Sequence, residues 1–317
     1  MKANFTKPVS ILASLLFCKV AMAGPWYTGP LLAPSGHTIP KGHTNLETYL
    51  FYNDNDGVYD KHWKLTHTPA NISTIINPIF SHGLTDRLDI QFILPYTFNR
   101  FRGTSSHKVS DTAVTLGYQV LEQKDSKWRP DLRFTVQETL PTGQYEHLSP
   151  FANGTDASGI GSYQTALALN FQHLKPFNDT IYLRTRLSLA YMHANDVRLR
   201  GINTFGGALD TDATLDPGDL VSLDLAGELS LTQHWVAVLE GYVANRQATT
   251  FRGNPGTTAA GLPAPLGHGT VDQITYAPAI EYNFNENIGL IGGVWKSAAG
   301  KDTGEFTSYV LALNAYW

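Results

Sequence analysis

The C-terminal stretch of the chain, from Glu305 to Trp317, alternates two kinds of side chain with a period of two. That period is typical of a β-strand, in which successive side chains point to opposite faces. One face carries Tyr309, Leu311, Leu313 and Trp317. It is apolar with an aromatic ring at each end, the pattern of a strand with lipid on one side and its rings at the two membrane interfaces.

Comparable alternation recurs along the chain and predicts twelve strands. They are expected at about residues 44–52, 71–82, 87–99, 109–121, 130–141, 159–172, 180–193, 219–231, 234–246, 271–284, 287–298 and 305–317. An even number is what a single-chain bacterial barrel needs when both chain ends lie on the same side.

The connections between these segments alternate in length. Long connections rich in Gly, Asp and Asn are expected at 53–70, 142–158, 194–218 and 247–270, with shorter ones at 100–108 and 299–304 and tight or moderate turns between them. A soluble β-sandwich has little reason to alternate so regularly. The sequence therefore predicts an all-β fold: a transmembrane antiparallel β-barrel of about twelve strands in a bacterial outer membrane, with long extracellular loops and short periplasmic turns.

The N-terminal residues begin with two lysines, continue with an apolar stretch from Val9 to Phe17 and end on the small residues Ala21-Met22-Ala23. This order predicts a signal peptide that is cleaved after Ala23. A stretch rich in Pro and Gly follows, without periodicity, and we expect it to be an irregular leader that can line or plug the barrel. The predicted division is a signal peptide at 1–23, a leader at 24–43 and the barrel at 44–317.

Cleavage removes Cys18, the single cysteine of the chain, together with three lysines, and changes the formal net charge from −4 to −7. A mature chain without cysteine has no thiol nucleophile and no thiolate metal site. Its acidic charge argues against a nucleic-acid surface. We expect no cofactor and no metal. Only 16% of residues are charged, which fits a wall that alternates apolar and polar positions.

The strands predicted at 180–193 and 219–231 each have one apolar and one polar face. Charges that face lipid are costly, so the polar faces are expected to point into the lumen. Arg184 and Arg186 should then lie near Asp224 and Glu228. We expect this set to brace the wall as an internal salt-bridge network, and the alternative is a charged constriction that selects solutes. Further lumen-lining candidates are Glu47, Asp89, Arg133, Gln137 and Glu281, whereas Glu138 and Glu240 fit the alternation poorly.

The fifth predicted strand ends in a motif that carries a family resemblance. The motif consists of Pro141, Thr142, Gly143 and Tyr145, followed after a loop by Gly159 and Gly161. It resembles the outer-membrane family named for the MetA-pathway of phenol degradation, also described as transporter-like. The turn from His82 to Tyr96 is similar to a turn of the same family. The resemblance implies a barrel that passes small, often apolar or aromatic, molecules, and it implies no binding residues.

Three functions follow from these observations. The first is a transporter-like barrel for passive passage or binding of small molecules, whose partners are outer-membrane lipid, a small-molecule solute and the barrel-assembly machinery. The second is a closed structural barrel whose loops act in adhesion or surface interaction. The third, an outer-membrane lipid hydrolase, needs a serine and a histidine at the lipid-facing rim.

Two groups of residues contain side chains that other chemistry would need. The candidate serine and histidine sets are His193 with Ser188, and His107 with Ser105 and Ser106. Neither has a recognisable nucleophile motif, so no catalytic residue is predicted. His62, His67 and the aspartates at 54, 56 and 60 share one predicted loop, but their spacing matches no strong metal-ligand motif and favours a solvated polar loop.

Overall fold

The computed structural model describes residues 25–124, 128–178 and 181–317. The predicted signal peptide lies outside these residues. A membrane-spanning helix does not occur in the described part of the chain.

Seventeen strands occur in the described residues. They are β1 (Thr44–Tyr59), β2 (Leu65–Gly83), β3 (Leu88–Ile93), β4 (Tyr96–Phe101), β5 (Thr104–Val109), β6 (Thr112–Leu121), β7 (Asp131–Leu140), β8 (Gln164–Pro176), β9 (Tyr182–Ala194), β10 (Val197–Arg200), β11 (Asp212–Asp216), β12 (Leu220–Ser230), β13 (Trp235–Arg246), β14 (Thr250–Asn254), β15 (Val271–Asn283), β16 (Ile288–Lys301) and β17 (Thr303–Tyr316).

Twelve of these strands close into an antiparallel barrel. The order around the ring is β1, β2, β3, β6, β7, β8, β9, β12, β13, β15, β16 and β17. The ring is closed because β1 pairs with β2 on one edge and with the last strand, β17, on the other. Full closure leaves no unpaired edge along the ring, which is the requirement for strands in lipid. The predicted twelve-stranded barrel is confirmed.

The two ends of the barrel differ, and we name them by their connections. At the short-turn end, β2 joins β3, β12 joins β13 and β15 joins β16 through a few residues each. The first and last residues of the barrel, Thr44 and Trp317, lie at the same end. The longer connections meet at the opposite, long-loop end. The outer surface between the two ends is apolar. Leu223, Leu311 and Leu313 are among the side chains exposed there.

The first predicted loop, 53–70, was wrong. β1 continues to Tyr59 and β2 begins at Leu65, with cross-strand partners such as Val58 and Thr66. Only a short turn remains between them. The two strands extend beyond the apolar belt, where side chains can be polar on both faces. The alternation of apolar and polar residues stops there although the backbone hydrogen bonds between the strands continue.

The third and fourth predicted strands are each interrupted once. The third breaks between β3 and β4 at Leu94-Pro95, where Pro95 has no N–H to give to the ladder. The fourth breaks between β5 and β6, and the amide of Ser110 donates to the carbonyl of Pro95 across the two breaks (2.9 Å). β4 and β5 pair with each other as a hairpin that prolongs the wall at the long-loop end. The sixth predicted strand, 159–172, instead begins at Gln164 and ends at Pro176.

The loops predicted at 194–218 and 247–270 contain regular structure. β10, β11 and β14 form a separate three-stranded sheet at the long-loop end. Val197, Leu199 and Leu215 are buried beneath it and pack against Tyr145, Phe205 and Leu266. The short strands alternate over too few residues to stand out from the surrounding Gly-rich sequence, so the pattern predicted irregular loops.

Candidate functional site in the barrel lumen

The leader, described from Pro25 onward, runs through the lumen in the half nearest the short-turn end. It starts beside the β12–β13 turn, where the rings of Trp26 and His234 lie 5.0 Å apart at 78°. It finishes against Gly83 at the end of β2, where the amide of Gly42 donates to the Gly83 carbonyl (2.9 Å). A side chain at Gly83 would collide with the backbone of Ile39 and Pro40. The leader therefore occupies the lumen before the chain enters β1.

Carboxylates of the wall accept hydrogen bonds from the leader backbone. The amide of Thr28 donates to Oε2 of Glu281 (2.8 Å), and the amide of Gly29 lies 3.3 Å from Oε1. Glu281 is completely buried. Charge-assisted hydrogen bonds of this kind are about twice as strong as neutral ones and offset part of the cost of burying the carboxylate.

Glu240 and Asp89 hold the leader further along. Oε1 of Glu240 accepts from the amides of Leu32 (3.2 Å) and Ala33 (3.1 Å), and its Oε2 lies 3.1 Å from the Leu32 amide. Oδ2 of Asp89 accepts from the amide of Ile39 (2.9 Å). Three carboxylates from three strands, β15, β13 and β3, thus anchor the leader at three places.

An apolar contact reinforces these anchors. Leu31 of the leader is buried in a cluster with inward-facing side chains of β13, β15, β16 and β17, namely Val236, Val238, Ala277, Ile291, Val310 and Ala312. Burying a leucine side chain contributes about 1.5–3 kcal/mol. The leader is therefore held by both polar and apolar contacts.

The charges predicted on β9 and β12 meet inside the lumen. Arg184 forms a bidentate ion pair with Glu228, in which Nε donates to Oε2 at 2.5 Å and Nη2 contacts Oε1. Nε of Arg186 lies 3.3 Å from Oε2 of the same glutamate. Arg186 also donates through Nη1 to the carbonyl of Ala33 (3.0 Å). The network thus braces two strands and touches the leader.

The remaining predicted lumen residues divide into paired and unpaired groups. Arg133 on β7 donates to Oδ1 of Asp89 on β3 (2.6 Å), and both are buried. Gln137 accepts a hydrogen bond from Thr115 (3.0 Å), and Glu47 accepts one from Asn45 (3.2 Å). Asp224 interacts with Arg186, as expected, but its Oδ1 is buried without a hydrogen-bond partner among the described residues.

Two residues that anchor the leader were not predicted as site residues. Glu240 fitted the sequence pattern poorly because β13 is apolar on both faces: Leu239 and Val243 are exposed outside, while Val236 and Val238 meet the leader inside. Gln119 of β6 accepts from the Thr38 amide (2.7 Å) and donates to the Gly36 carbonyl (3.0 Å). A glutamine on an alternating strand gives no signal of its own.

The residues of the family motif surround one aspartate at the long-loop end. Oδ1 of Asp111 accepts from the Gly143 amide and Oδ2 from the Ile160 amide, both at 2.9 Å. Gly159 packs so closely on this carboxylate that a side chain would collide with it. Gly161 has φ = 75°, a conformation that favours glycine, and the ring of Tyr145 lies against it. Pro141 and Thr142 follow β7 directly. The motif therefore ties down the two ends of the 141–163 loop.

The serine and histidine pairs weighed from the sequence are arranged differently. His193 is on the outer surface, where its Nδ1 contacts Oδ1 of Asp219 (2.8 Å), whereas Ser188 faces inward and donates to Asn170 (2.8 Å). The side chains of His193 and Ser188 lie on opposite faces of β9 and therefore do not meet. The ring of His107 contacts those of Tyr96 and Phe98. In the described residues, no group of three or more His, Cys, Asp or Glu side chains could hold a metal ion.

Asp219 lies in the connection between β11 and β12, at the outer rim. The hydroxyl of Tyr191 donates to its Oδ2 (2.7 Å), and the Ala194 amide lies 3.4 Å from Oδ1. The hydrogen bond from Tyr191, with smaller contributions from His193 and Ala194, holds the pKa of Asp219 below its ordinary value. Glu138, the other misfit of the sequence pattern, faces outward on β7 and accepts from Thr165 (2.6 Å).

No family model matches this sequence, and no curated protein matches it either. Membership of the MetA-pathway family therefore stays a prediction. Solved structures do match. The COG4313 outer membrane channel from Pseudomonas putida F1 superposes with a TM-score of 0.68 over 91% of this chain and 100% of its own, at 14% identity. The chain has the fold of an outer-membrane barrel.

Two further solved structures cover similar shares of the chain but superpose less well. The TodX deltaS2S3 mutant monoaromatic hydrocarbon channel covers 92% of this chain and 95% of its own at 14% identity, with a TM-score of 0.41. The NanC porin covers 85% and 98% at 10% identity, also with a TM-score of 0.41. Scores at that level say nothing specific of this chain. The closed ring, its apolar belt and the first likeness place the protein in the bacterial outer membrane, with the short-turn end periplasmic and the long-loop end extracellular.

Proposed function

We propose that this barrel is a passive outer-membrane channel for small molecules, whose lumen is narrowed on the periplasmic side by the leader. The observation that carries the proposal is the leader itself, which lies inside the barrel and is held on the wall by hydrogen bonds and apolar contacts alone. Bonds of that kind can break and re-form. A segment held in this way can leave the lumen while the ring of strands stays closed.

The polar lumen supports passage of solutes. Twelve strands enclose a narrower space than the sixteen or more of general porins, so small molecules are the appropriate size class. The COG4313 protein, which shares the fold, is described as an outer membrane channel. The apolar or aromatic character of the solute rests on the family resemblance alone.

The test is single-channel conductance of the refolded mature protein in a planar bilayer, compared with a variant that lacks residues 24–42. We expect discrete current steps that are larger in the deletion variant, because removal of the leader widens the path. The folded state of each protein is checked by its heat-modifiable mobility in gels. If the deletion variant does not fold, Leu32→Pro serves instead, since it removes an amide that holds the leader on Glu240. Silence in both folded forms would contradict the proposal.

A second function has one specific observation in its favour. The extracellular loops fold into the β10-β11-β14 sheet with its own buried core, and Arg198–Asp212 and Arg252–Asp196 ion pairs lie on its exposed face. A folded, charged extracellular surface suits adhesion or another surface interaction. A silent barrel that still binds a ligand through this sheet would favour that function over a channel.

A further inference from the structure

Between Pro25 and Pro40 the leader supplies hydrogen-bond donors to the lumen but no lysine or arginine. Residues 25–40 contain no lysine, arginine, aspartate or glutamate. The partners that they offer to Glu240, Glu281 and Asp89 are neutral backbone amides. Neutral amides solvate a carboxylate without cancelling its charge.

The wall does not supply the missing charge to all of these carboxylates. Arg133 is paired with Asp89, while Arg184 and Arg186 are both paired with Glu228. In the described part of the chain, Glu240 and Glu281 form no ion pair. Arg186 acts on Glu240, and Arg184 on Glu281, only at longer range, and Glu281 also shares a hydrogen bond with Glu228. Both buried carboxylates thus share arginines that are already in direct contact with Glu228, and neither has a countercharge of its own.

Asp224 adds an unused acceptor next to Glu240. It is 6% exposed, and its Oδ1 has no hydrogen-bond partner among the described residues. Asp224 pairs with Tyr242 and Glu240 with Ala226 in the β12–β13 ladder, so the two acids are diagonal neighbours on the lumen face. Such neighbours lie roughly 7–8 Å apart, within reach of one small ligand with two donor groups.

From these contacts we infer that Glu240, Glu281 and Asp224 form a binding track for small organic cations that carry ammonium or guanidinium groups. A cation of this class gives each carboxylate both donors and a countercharge, whereas the leader gives donors alone. Cation and leader compete for the same oxygens of Glu240 and Glu281. Binding of the cation therefore displaces the leader. The inference rests on the proposed function, in which the displaced leader opens a conducting path.

The test uses the full mature chain and follows the leader directly. The chain has no cysteine after Cys18, so Ala33→Cys places a single thiol at a leader position that is 3% exposed. The rate at which a neutral maleimide labels this thiol reports how often the leader leaves the wall. The probes are putrescine, 1,4-butanediol and succinate, which share a four-carbon chain and differ in charge, each at equal ionic strength adjusted with KCl.

We expect putrescine to raise the labelling rate about fivefold or more, the effect of one unit charge acting at about 4 Å in water. Butanediol and succinate should leave the rate unchanged. In a Glu240→Gln, Glu281→Gln background the leader still finds amide oxygens as acceptors, but the response to putrescine should vanish. Glu138→Gln makes the same substitution on the outer face of β7 and should keep the response.

Three results would overturn the inference: no acceleration by putrescine, equal acceleration by butanediol, or an undiminished response in the double glutamine variant. If that variant does not fold, Asp224→Asn replaces it, and an unreduced response there counts equally against the track. The channel proposal is judged separately by conductance. A conducting leader deletion without a putrescine response would retain the channel and remove the cation site, while silent bilayers with a putrescine response would do the reverse.

Discussion

Glu228 and Glu240 lie on neighbouring strands of the same barrel, both almost completely buried on the lumen side, yet their partners differ in kind. Glu228 is paired with two arginines of the wall. Glu240 is paired with two backbone amides of the leader. The first arrangement belongs to the barrel itself and persists whatever occupies the lumen. The second depends on the leader, so one carboxylate stabilises the wall and the other holds the leader.

The largest effect is expected at the wall. Glu228→Gln removes the carboxylate that contacts both Arg184 and Arg186, and removing one partner of a buried ion pair costs about 3–5 kcal/mol. We expect the free energy of unfolding to fall by that amount, measured by denaturant titration of the refolded barrel in detergent. Glu240→Gln is the matched control, since its amide oxygen still accepts from the leader, and it should cost about 1 kcal/mol. Equal losses of unfolding free energy in the two variants would contradict the difference that we draw between Glu228 and Glu240.

The sequence predicted the pairing of arginine and glutamate in the wall because both residue types stand out on the polar faces of their strands. Arg184, Arg186 and Glu228 stand on the polar faces of two strands whose other faces are apolar, so a period of two places them in the lumen together. The closed ring of twelve strands follows from the same periodicity. Strand ends were predicted less well, as at Tyr59 and Leu65. Outside the lipid belt the side chains no longer alternate between apolar and polar, although the strands remain hydrogen-bonded.

The leader contacts could not be predicted in the same way. An irregular segment has no period, so nothing in residues 25–43 says which wall positions it meets. Its presence also removes the signal on the wall, since β13 becomes apolar on its inner face where Leu31 packs. Glu240 then looks misplaced in an apolar strand. The misfit was itself the signal of a contact, but only the folded chain identifies the partner.

A smaller effect is expected at the leader. Leu32→Pro deletes the amide that donates to Glu240 and leaves that carboxylate with the Ala33 amide. A hydrogen bond to a charged group contributes about 1.5–3 kcal/mol, so the detached fraction of the leader should rise at least about tenfold. Maleimide labelling of Ala33→Cys in this background measures the change.

Leu32→Ala is the control for that variant, because it trims the side chain and keeps the amide. The labelling rate should then stay much closer to that of the parent. Equal labelling rates in the proline and alanine variants would mean that the amide contact with Glu240 does not hold the leader. Glu240 would then have no role in the leader to set against the role of Glu228 in the wall.

The smallest effect is expected at a third kind of carboxylate, at the extracellular rim. Asp219 accepts from Tyr191 in a partly exposed setting, and its pKa is lowered. A group whose folded pKa is lowered stabilises the protein above its unfolded pKa of about 4, and this contribution is lost as pH falls through the folded pKa. Asp219→Asn should therefore cost less than about 1 kcal/mol at neutral pH, because solvent screens the contact. The gap from the parent should close below about pH 4. Glu286→Gln removes the same charge from an exposed periplasmic turn and controls for net charge. Denaturant titrations of the three proteins across this pH range measure the gap, and a gap that widens in acid would contradict the lowered pKa.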